Sequence, residues 1–226
     1  MLASTIDTLE YQHGVISKAT SSIKNDKSIL RLTKKDLYKA AVVACEAYME
    51  EDLCKYFFPD EQSRYKKLFA LMRFRLQTQF NFCTITSNKI EGLSLWERAN
   101  EHSGLISLRE IFLGVSLLIS IGPKSLWKIF CFQLYMFKLK SKLIRGPYCY
   151  FDLVVVHPDH RRKRLAYMLL SQTIEQVDLA GEQVYLETQN PTLVHFYHKL
   201  GFEVIHESKL PGTSIDNICM LRKGKK

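Results

Sequence analysis

The chain has 226 residues, 46% hydrophobic and 24% charged, and no Gly/Ser-rich or Pro-rich linker divides it, which excludes a disordered, fibrous or multi-span membrane chain and favours one globular domain. Its formal charge of +9 asks for an anionic partner. Cys45, Cys54, Cys83, Cys131, Cys149 and Cys219 are scattered without C-x-x-C spacing, so reduced, mostly buried thiols in a cytoplasmic protein fit better than a zinc site or a disulfide frame.

Residues 1–27 show no sustained periodicity and no apolar run after a basic start, and are expected to form a loosely docked extension without a secretory signal. Residues 28–226 read as the folded domain. Ser28 to Leu32 predicts a first strand. Thr33, with Asp36 three residues on, predicts a capped helix start. That helix is expected to run to about Phe57, with Leu37, Ala40, Ala41, Ala44 and Tyr48 on one face, until Pro59 ends it. A second helix near Gln62 to Gln77 repeats Tyr65, Leu68, Phe69, Met72 and Leu76. Phe82 to Thr86 and Lys89 to Trp96 then form a hairpin around Ser87 and Asn88.

About 105–145 reads as a helical insertion. Glu110 to Ile121 and Ser125 to Leu143 are helical in composition and broken by Gly122 and Pro123; neither has the roughly 20 uninterrupted apolar residues that a membrane span requires. From Ile111 to Phe151 there is no Asp or Glu, while Lys124, Lys128, Lys138, Lys140, Lys142 and Arg145 are cationic. Three readings stand: lysines extending from the solvent side of a lid, contact with an anionic membrane surface, or an acidic acceptor or partner.

Tyr148 to Val156 is aromatic and β-branched, a buried strand that Pro158 stops. Arg161, Arg162, Lys163 and Arg164 follow and open a helix whose Ala166, Leu169, Leu170, Thr173, Ile174 and Val177 share one face. The free N–H groups of a helix start carry about half a positive charge, so with these cations they make a phosphate site. Nucleic acid is the weaker reading of the same charges, since cations that read it usually lie on an exposed helix face or a flexible arm. Val184 to Thr188 is the next strand. Asn190-Pro191 starts a helix with Leu193, Phe196, Tyr197 and Leu200 as its buried stripe, and Gly201 stops it. Phe202 to His206 and Ile218 to Leu221 complete an α/β (α+β) fold, a mixed, mostly antiparallel sheet with helices on both faces.

Two stretches carry a resemblance. The run V-x-P-x-x-R-x-x-R-x-A, Val156 to Ala166, resembles the acyl-CoA-binding motif of the GNAT superfamily of N-acyltransferases, and LETQNPTLVHFYHKLGF, Leu186 to Phe202, resembles that family's strand, Asn, helix, Tyr and K-x-G-F segment. The resemblance covers roughly Ser28 to Arg222 as a fold and is sharp over Tyr148 to Phe202; the aromatic strand after a helical insertion is most similar to the puromycin N-acetyltransferase group.

The resemblance implies an acetyl-CoA-dependent N-acetyltransferase acting on a primary amine, with a small-molecule acceptor and no metal. A protein or peptide N-acetyltransferase and a non-catalytic acyl-CoA-binding module are the alternatives. It implies that the backbone of Val154, Val155 and Val156 bonds the pantetheine arm, that Arg161, Arg162, Lys163, Arg164, Leu165, Ala166 and Tyr167 hold the pyrophosphate, and that Asn190 is a pantetheine ligand as well as an N-cap. Tyr197 is the expected acid for the departing thiolate. Glu187 is the expected base, with Asp152, Tyr148, Tyr150 or a water relay as alternatives. Arg164 stands where the family has its first glycine, and Arg162 where glycine is also frequent; Ala166 keeps the second small position.

Overall fold

The computed structural model describes residues 29–79, 83–87, 89–98 and 108–224; the predicted extension at 1–27 lies outside them. β1 (Leu30–Arg31) leads through a short 3-10 turn at Lys34–Asp36 into α1 (Leu37–Tyr48), α2 (Asp52–Phe57) and α3 (Glu61–Thr78). The hairpin strands β2 (Cys83–Ile85) and β3 (Gly92–Arg98) follow, then α4 (Leu108–Ile121) and α5 (Pro123–Leu143). β4 (Tyr148–Val156), α6 (Leu165–Leu179), β5 (Gln183–Thr188), α7 (Val194–Lys199), β6 (Glu203–Lys209) and β7 (Asp216–Arg222) complete the chain.

The strands form one seven-stranded sheet in the order β1-β2-β3-β4-β5-β7-β6. Only the β4–β5 neighbours run parallel; the other pairs are antiparallel. A helix between two parallel strands must cross one face, and α6 covers that face with Leu170, Ile174 and Val177 against Cys149, Phe151 and Leu186. α1 and α3 cover the other face, where Ala40, Ala44, Leu68 and Leu76 meet Ile85, Leu93, Leu153 and Val155. Gly92, at the start of β3, permits close approach of β4 and α6: a Cβ there would stand 2.9 Å from the Val155 carbonyl oxygen and 3.5 Å from Leu169 Cδ1.

A bulge divides β4 between the two cores. Leu95 pairs with Leu153 but Trp96 pairs with Phe151, so Asp152 is the extra residue. The shift sends Phe151 into the α6 core and Leu153 into the α1–α3 core, although two residues in a regular strand would share a face. It also delivers the Asp152 carboxylate to Arg75 of α3, with which it is ion-paired.

The single helix expected from Thr33 to Phe57 is instead broken at Met49–Glu51, where Glu51 is extended. The new start places Asp52 in the first turn of α2, at the positive end of a helix. Thr33 is the residue before the first turn, but its hydroxyl donates to the Asp36 carboxylate rather than capping a backbone N–H. In the α7 stripe only Tyr197 is buried, and Leu193 is 39% exposed, because α7 is a short helix preceded by a 3-10 turn and not two full turns of one helix.

α4 and α5 are part of the core as well as an addition to it. Leu117 and Ile121 of α4 are buried in the α1–α3 cluster, each stabilising the fold by about 1.5–3 kcal/mol. The start of α5 satisfies carbonyls at the end of α2: Ser125 Oγ donates to Phe57 O at 3.1 Å, and Lys128 Nζ to Tyr56 O at 2.7 Å. Lys128 therefore does not extend from the solvent side of a lid. Neither does Lys140, whose Nζ lies 3.6 Å from the centroid of the Tyr150 ring on the sheet.

Candidate active site

β4 and β5 pair only from Tyr148↔Gln183 to Phe151↔Leu186. Beyond that, β4 remains bonded to β3 through Val156, and β5 to β7 through Thr188. The facing edges have parted, and a cleft of about 530 Å³ opens between them, with Val154, Val155 and Val156 on one wall and Glu187, Asn190 and Tyr197 on the other. Ladder groups on the inner edge of β4 are thus left for a ligand that adds like a strand.

At its outer end the cleft shares Val156, Arg161, Ala166 and Phe196 with a groove of about 540 Å³. Arg161, Arg162, Arg164 and Lys199 line that groove with Leu165 and Tyr167, and no carboxylate does. Arg162 and Arg164 adopt φ of 65° and 61°. The backbone thus follows the left-handed path that glycine takes freely and that costs another residue about 1–3 kcal/mol. Both side chains are exposed at the rim, leaving the loop backbone accessible. The loop is tied to α1, with His157 Nε2 2.6 Å from Glu46 Oε2 and Arg161 Nη2 donating to Ala47 O at 3.5 Å. Lys163 stands apart from cleft and groove, its Nζ 3.2 Å from His160 Nδ1. Asn190 lines the cleft and caps the turn after β5, its Oδ1 accepting from Thr192 N at 3.1 Å and Thr192 Oγ1 at 2.7 Å.

The inner end of the cleft is built around Glu187. Burial pushes its carboxyl up from an ordinary 4.5 to about 7, against the opposing pull of Lys140 and of the Tyr150 and Tyr185 hydroxyls; Asp152 adds a smaller push upward. Oε1 of Glu187 and the Tyr185 hydroxyl have no hydrogen-bond partner of normal geometry among the described residues. Glu187 is therefore a carboxyl poised near neutrality, with the Tyr150 and Tyr185 hydroxyls beside it. The other sequence candidates are placed differently. Asp152 is held by Arg75, and burial raises Tyr150 well above the ordinary tyrosine range and Tyr148 to a lesser degree.

Beyond Glu187 lies a second, smaller pocket of about 120 Å³, walled by Met72 and Arg75 of α3 and by Ile129, Phe132 and Gln133 of α5. It meets the cleft at Tyr48, Leu53, Asp152, Glu187 and Gln189, which line both. Tyr197 lines the cleft with its ring edge-on to Phe196 and Phe202, at 5.3 and 5.9 Å between centroids, and burial pushes its hydroxyl up to about 12. His195 and His198, its neighbours on α7, are exposed.

Sequence reasoning missed Tyr48, Arg75 and Gln189. Tyr48 falls on the face expected to be core, and its hydroxyl, raised mainly by burial, is close enough to Tyr197 and Arg75 to feel both. Arg75 had no local signal, because its partner Asp152 is 77 positions away. Among the described residues no group of three or more His, Cys, Asp or Glu is placed to hold a metal ion, and no helix is long and apolar enough to cross a membrane.

A seven-stranded sheet that opens between its one parallel pair, with a helix start at the mouth of the opening, is the fold of the GNAT acetyltransferases. Residues 134–204 match the acetyltransferase (GNAT) domain family. The L-amino acid N-acyltransferase MnaT of Escherichia coli (strain K12) is 38% identical over 63 residues, which cover 26% of this chain and 37% of that protein, so the match spans little more than a third of that relative's length. Among solved structures, one described as histone acetyltransferase HPA2 and related acetyltransferase, from Corynebacterium glutamicum, superposes with a TM-score of 0.63 at 18% identity, covering 88% of this chain and 97% of that one. An N-acetyltransferase from Staphylococcus aureus Mu50 gives 0.55 at 13% identity over 85% and 98% of the two chains, and the NatC complex bound to Gag peptide and CoA gives 0.50 at 12% over 86% and 96%. At such identities these structures establish the fold alone. The family match over 134–204 and the shared fold together make this chain similar to the GNAT acetyltransferases.

Proposed function

We propose that this protein is an acetyl-CoA-dependent N-acetyltransferase that acts on a primary amine of a small molecule by direct transfer in a ternary complex. The observation that carries the proposal is Glu187: a half-buried carboxyl near neutrality at the junction of a strand-splayed cleft and a separate pocket, lining both. Structural ion pairs have no need of such a group, whereas a general base operates best with a pKa close to the working pH.

The cleft fits coenzyme A. Unpaired β4 backbone at Val154–Val156 suits the amide-rich pantetheine arm, and the basic groove with the free N–H groups of the α6 start suits the pyrophosphate. When bound, acetyl-CoA supplies the thioester carbonyl that the acceptor nitrogen attacks. Glu187 takes the proton from that nitrogen as the C–N bond forms. The β4 backbone N–H groups of the cleft stabilise the charge that develops on the carbonyl oxygen. Tyr197 remains protonated, since its hydroxyl titrates near 12, and it donates to the sulfur as the C–S bond breaks. The amine proton thus ends on Glu187 and the tyrosine proton on the thiol, and solvent exchange resets both.

The pocket beyond Glu187 supports a small acceptor: about 120 Å³ is well below the roughly 300–1,000 Å³ of drug-sized ligand sites, and α5 forms one of its walls. The name of the partial relative, an L-amino acid N-acyltransferase, points the same way. Free cysteines fit a reducing compartment such as the cytoplasm. The test is a thermal shift with coenzyme A, expected to reach roughly 2.7 kcal/mol of stabilisation at 100 times its dissociation constant, followed by a screen of primary amines for thiol release from acetyl-CoA. Absence of any shift at millimolar cofactor overturns the proposal; a shift without turnover of any amine leaves a binding module.

A further inference from the structure

The outer surface of α4 and α5 is unlike the rest of the molecule. Of the fifteen large hydrophobic residues exposed among the described residues, nine lie on these two helices. On α4, Ile111, Phe112, Val115, Leu118 and Ile119 form one continuous face, with Phe112 73% and Ile119 79% exposed. On α5, Trp127, Phe130, Leu134 and Phe137 recur at i, i+3, i+7 and i+10, so they form a single stripe along the helix. The inner faces of both helices, through Leu117, Ile121, Leu126, Ile129 and Phe132, meet the same core cluster. Both apolar faces therefore point away from that core toward solvent.

Apart from Glu110 in the first turn of α4, the charged residues along this surface are all cationic. Lys124, Lys138 and Lys142 are exposed, and at 100° per residue they fall along one border of the α5 stripe. No Asp or Glu occurs from Ile111 to Phe151 to balance them. We propose that the α4–α5 surface binds the face of an anionic lipid bilayer, with the apolar stripes inserted at the level of the acyl-chain boundary and the three lysines on lipid headgroup phosphates and carboxylates. An apolar face bordered by lysines is what an interfacial helix requires. α4, with 14 residues, is too short to cross a bilayer and α5, with 21, is too rich in lysine, so the proposed contact is with the bilayer face. A second copy of the chain is a poorer occupant, because a two-fold contact would bring the same lysines together. Residues 1–28 are poorer too, since Asp7, Glu10 and Asp26 are balanced by Lys18, Lys24 and Lys27 and offer no net negative charge.

The proposal is independent of catalysis, and Trp127 reports on it. Titrating the full chain with phosphatidylcholine vesicles containing phosphatidylserine should shift tryptophan emission to the blue and carry the protein up in a flotation gradient; phosphatidylcholine alone should do neither. Each Lys→Gln change at Lys124, Lys138 or Lys142 should weaken binding about fivefold, and added salt should mimic it. Phe130→Ser with Phe137→Ser, both at exposed positions, should abolish flotation while the coenzyme A thermal shift stays as in the wild type. Equal binding to both vesicle types, or none to either, overturns the proposal. So does a dimer in solution that dissociates when Phe130 and Phe137 are changed, or uncovering of the surface to vesicles only after residues 1–28 are removed.

Discussion

Replacing Glu187 by Gln separates the role of this carboxyl in catalysis from its effect on stability. The folded protein holds the Glu187 proton until about pH 7, while the unfolded chain releases it near 4.5. Between those values the folded state binds more protons, so Glu187 lowers stability progressively as pH rises and imposes its full cost above pH 7. A shift of about 2.5 units corresponds to about 3 kcal/mol. Gln keeps the shape without the charge. Glu187→Gln should therefore unfold at roughly 6–12 °C higher temperature than wild type at pH 8, with the difference vanishing toward pH 4.5. Over the same range kcat/KM for an amine acceptor should fall about a hundred- to ten-thousand-fold at pH 8, and the acidic limb near pH 7 in the wild-type profile should disappear. Melting curves at several pH values and one pH–rate profile check both. If the variant is no more stable than wild type at pH 8, and the difference does not change with pH, then Glu187 is not a strained buried carboxyl and its assignment as base fails.

Tyr197→Phe keeps the ring against Phe196 and Phe202 and removes the hydroxyl, so coenzyme A affinity and melting temperature should hold while kcat falls about a hundred- to ten-thousand-fold; unchanged kcat would return Tyr197 to a packing role. Arg164→Gly should leave stability nearly unchanged, because relief of a left-handed φ is offset by the greater freedom of glycine in the unfolded chain. It should weaken coenzyme A binding by up to about fivefold and flatten its salt dependence, as expected for an exposed guanidinium at a phosphate. Tighter binding in this variant would mean that the side chain obstructs the groove.

The strands and helices from Tyr148 to Phe202 were legible because each is announced locally: a β-branched run ended by Pro158, a cationic helix start with an apolar repeat behind it, and Asn190-Pro191 before a helix that Gly201 closes. Such signals act over one or two turns of chain, and the physics that sets them is equally short in range. The same reasoning failed where a continuous helical pattern is broken, as at Met49–Glu51, and where lysines were assigned to solvent although Lys128 and Lys140 reach carbonyl and ring partners on other elements. It also could not see the bulge at Asp152, which depends on the register of β3 against β4 and decides which core each later residue of the strand enters.

Most of what distinguishes the candidate site is a consequence of tertiary structure. Glu187 is a plain strand glutamate in the sequence; its carboxyl is pushed up to about 7 only when the fold removes water from around it, by more than Lys140, Tyr150 and Tyr185 pull it down. The junction of cleft and pocket gathers Tyr48, Asp152, Glu187 and Gln189 from positions up to 141 apart in the chain, so no window of sequence contains it. The amino-acid order by itself determined most of the elements, the basic turn that opens α6 and the resemblance of Tyr148 to Phe202 to the GNAT segments. The burial that sets pKa values and the splaying of β4 from β5 depend on contacts between distant residues, and only the folded chain decides them.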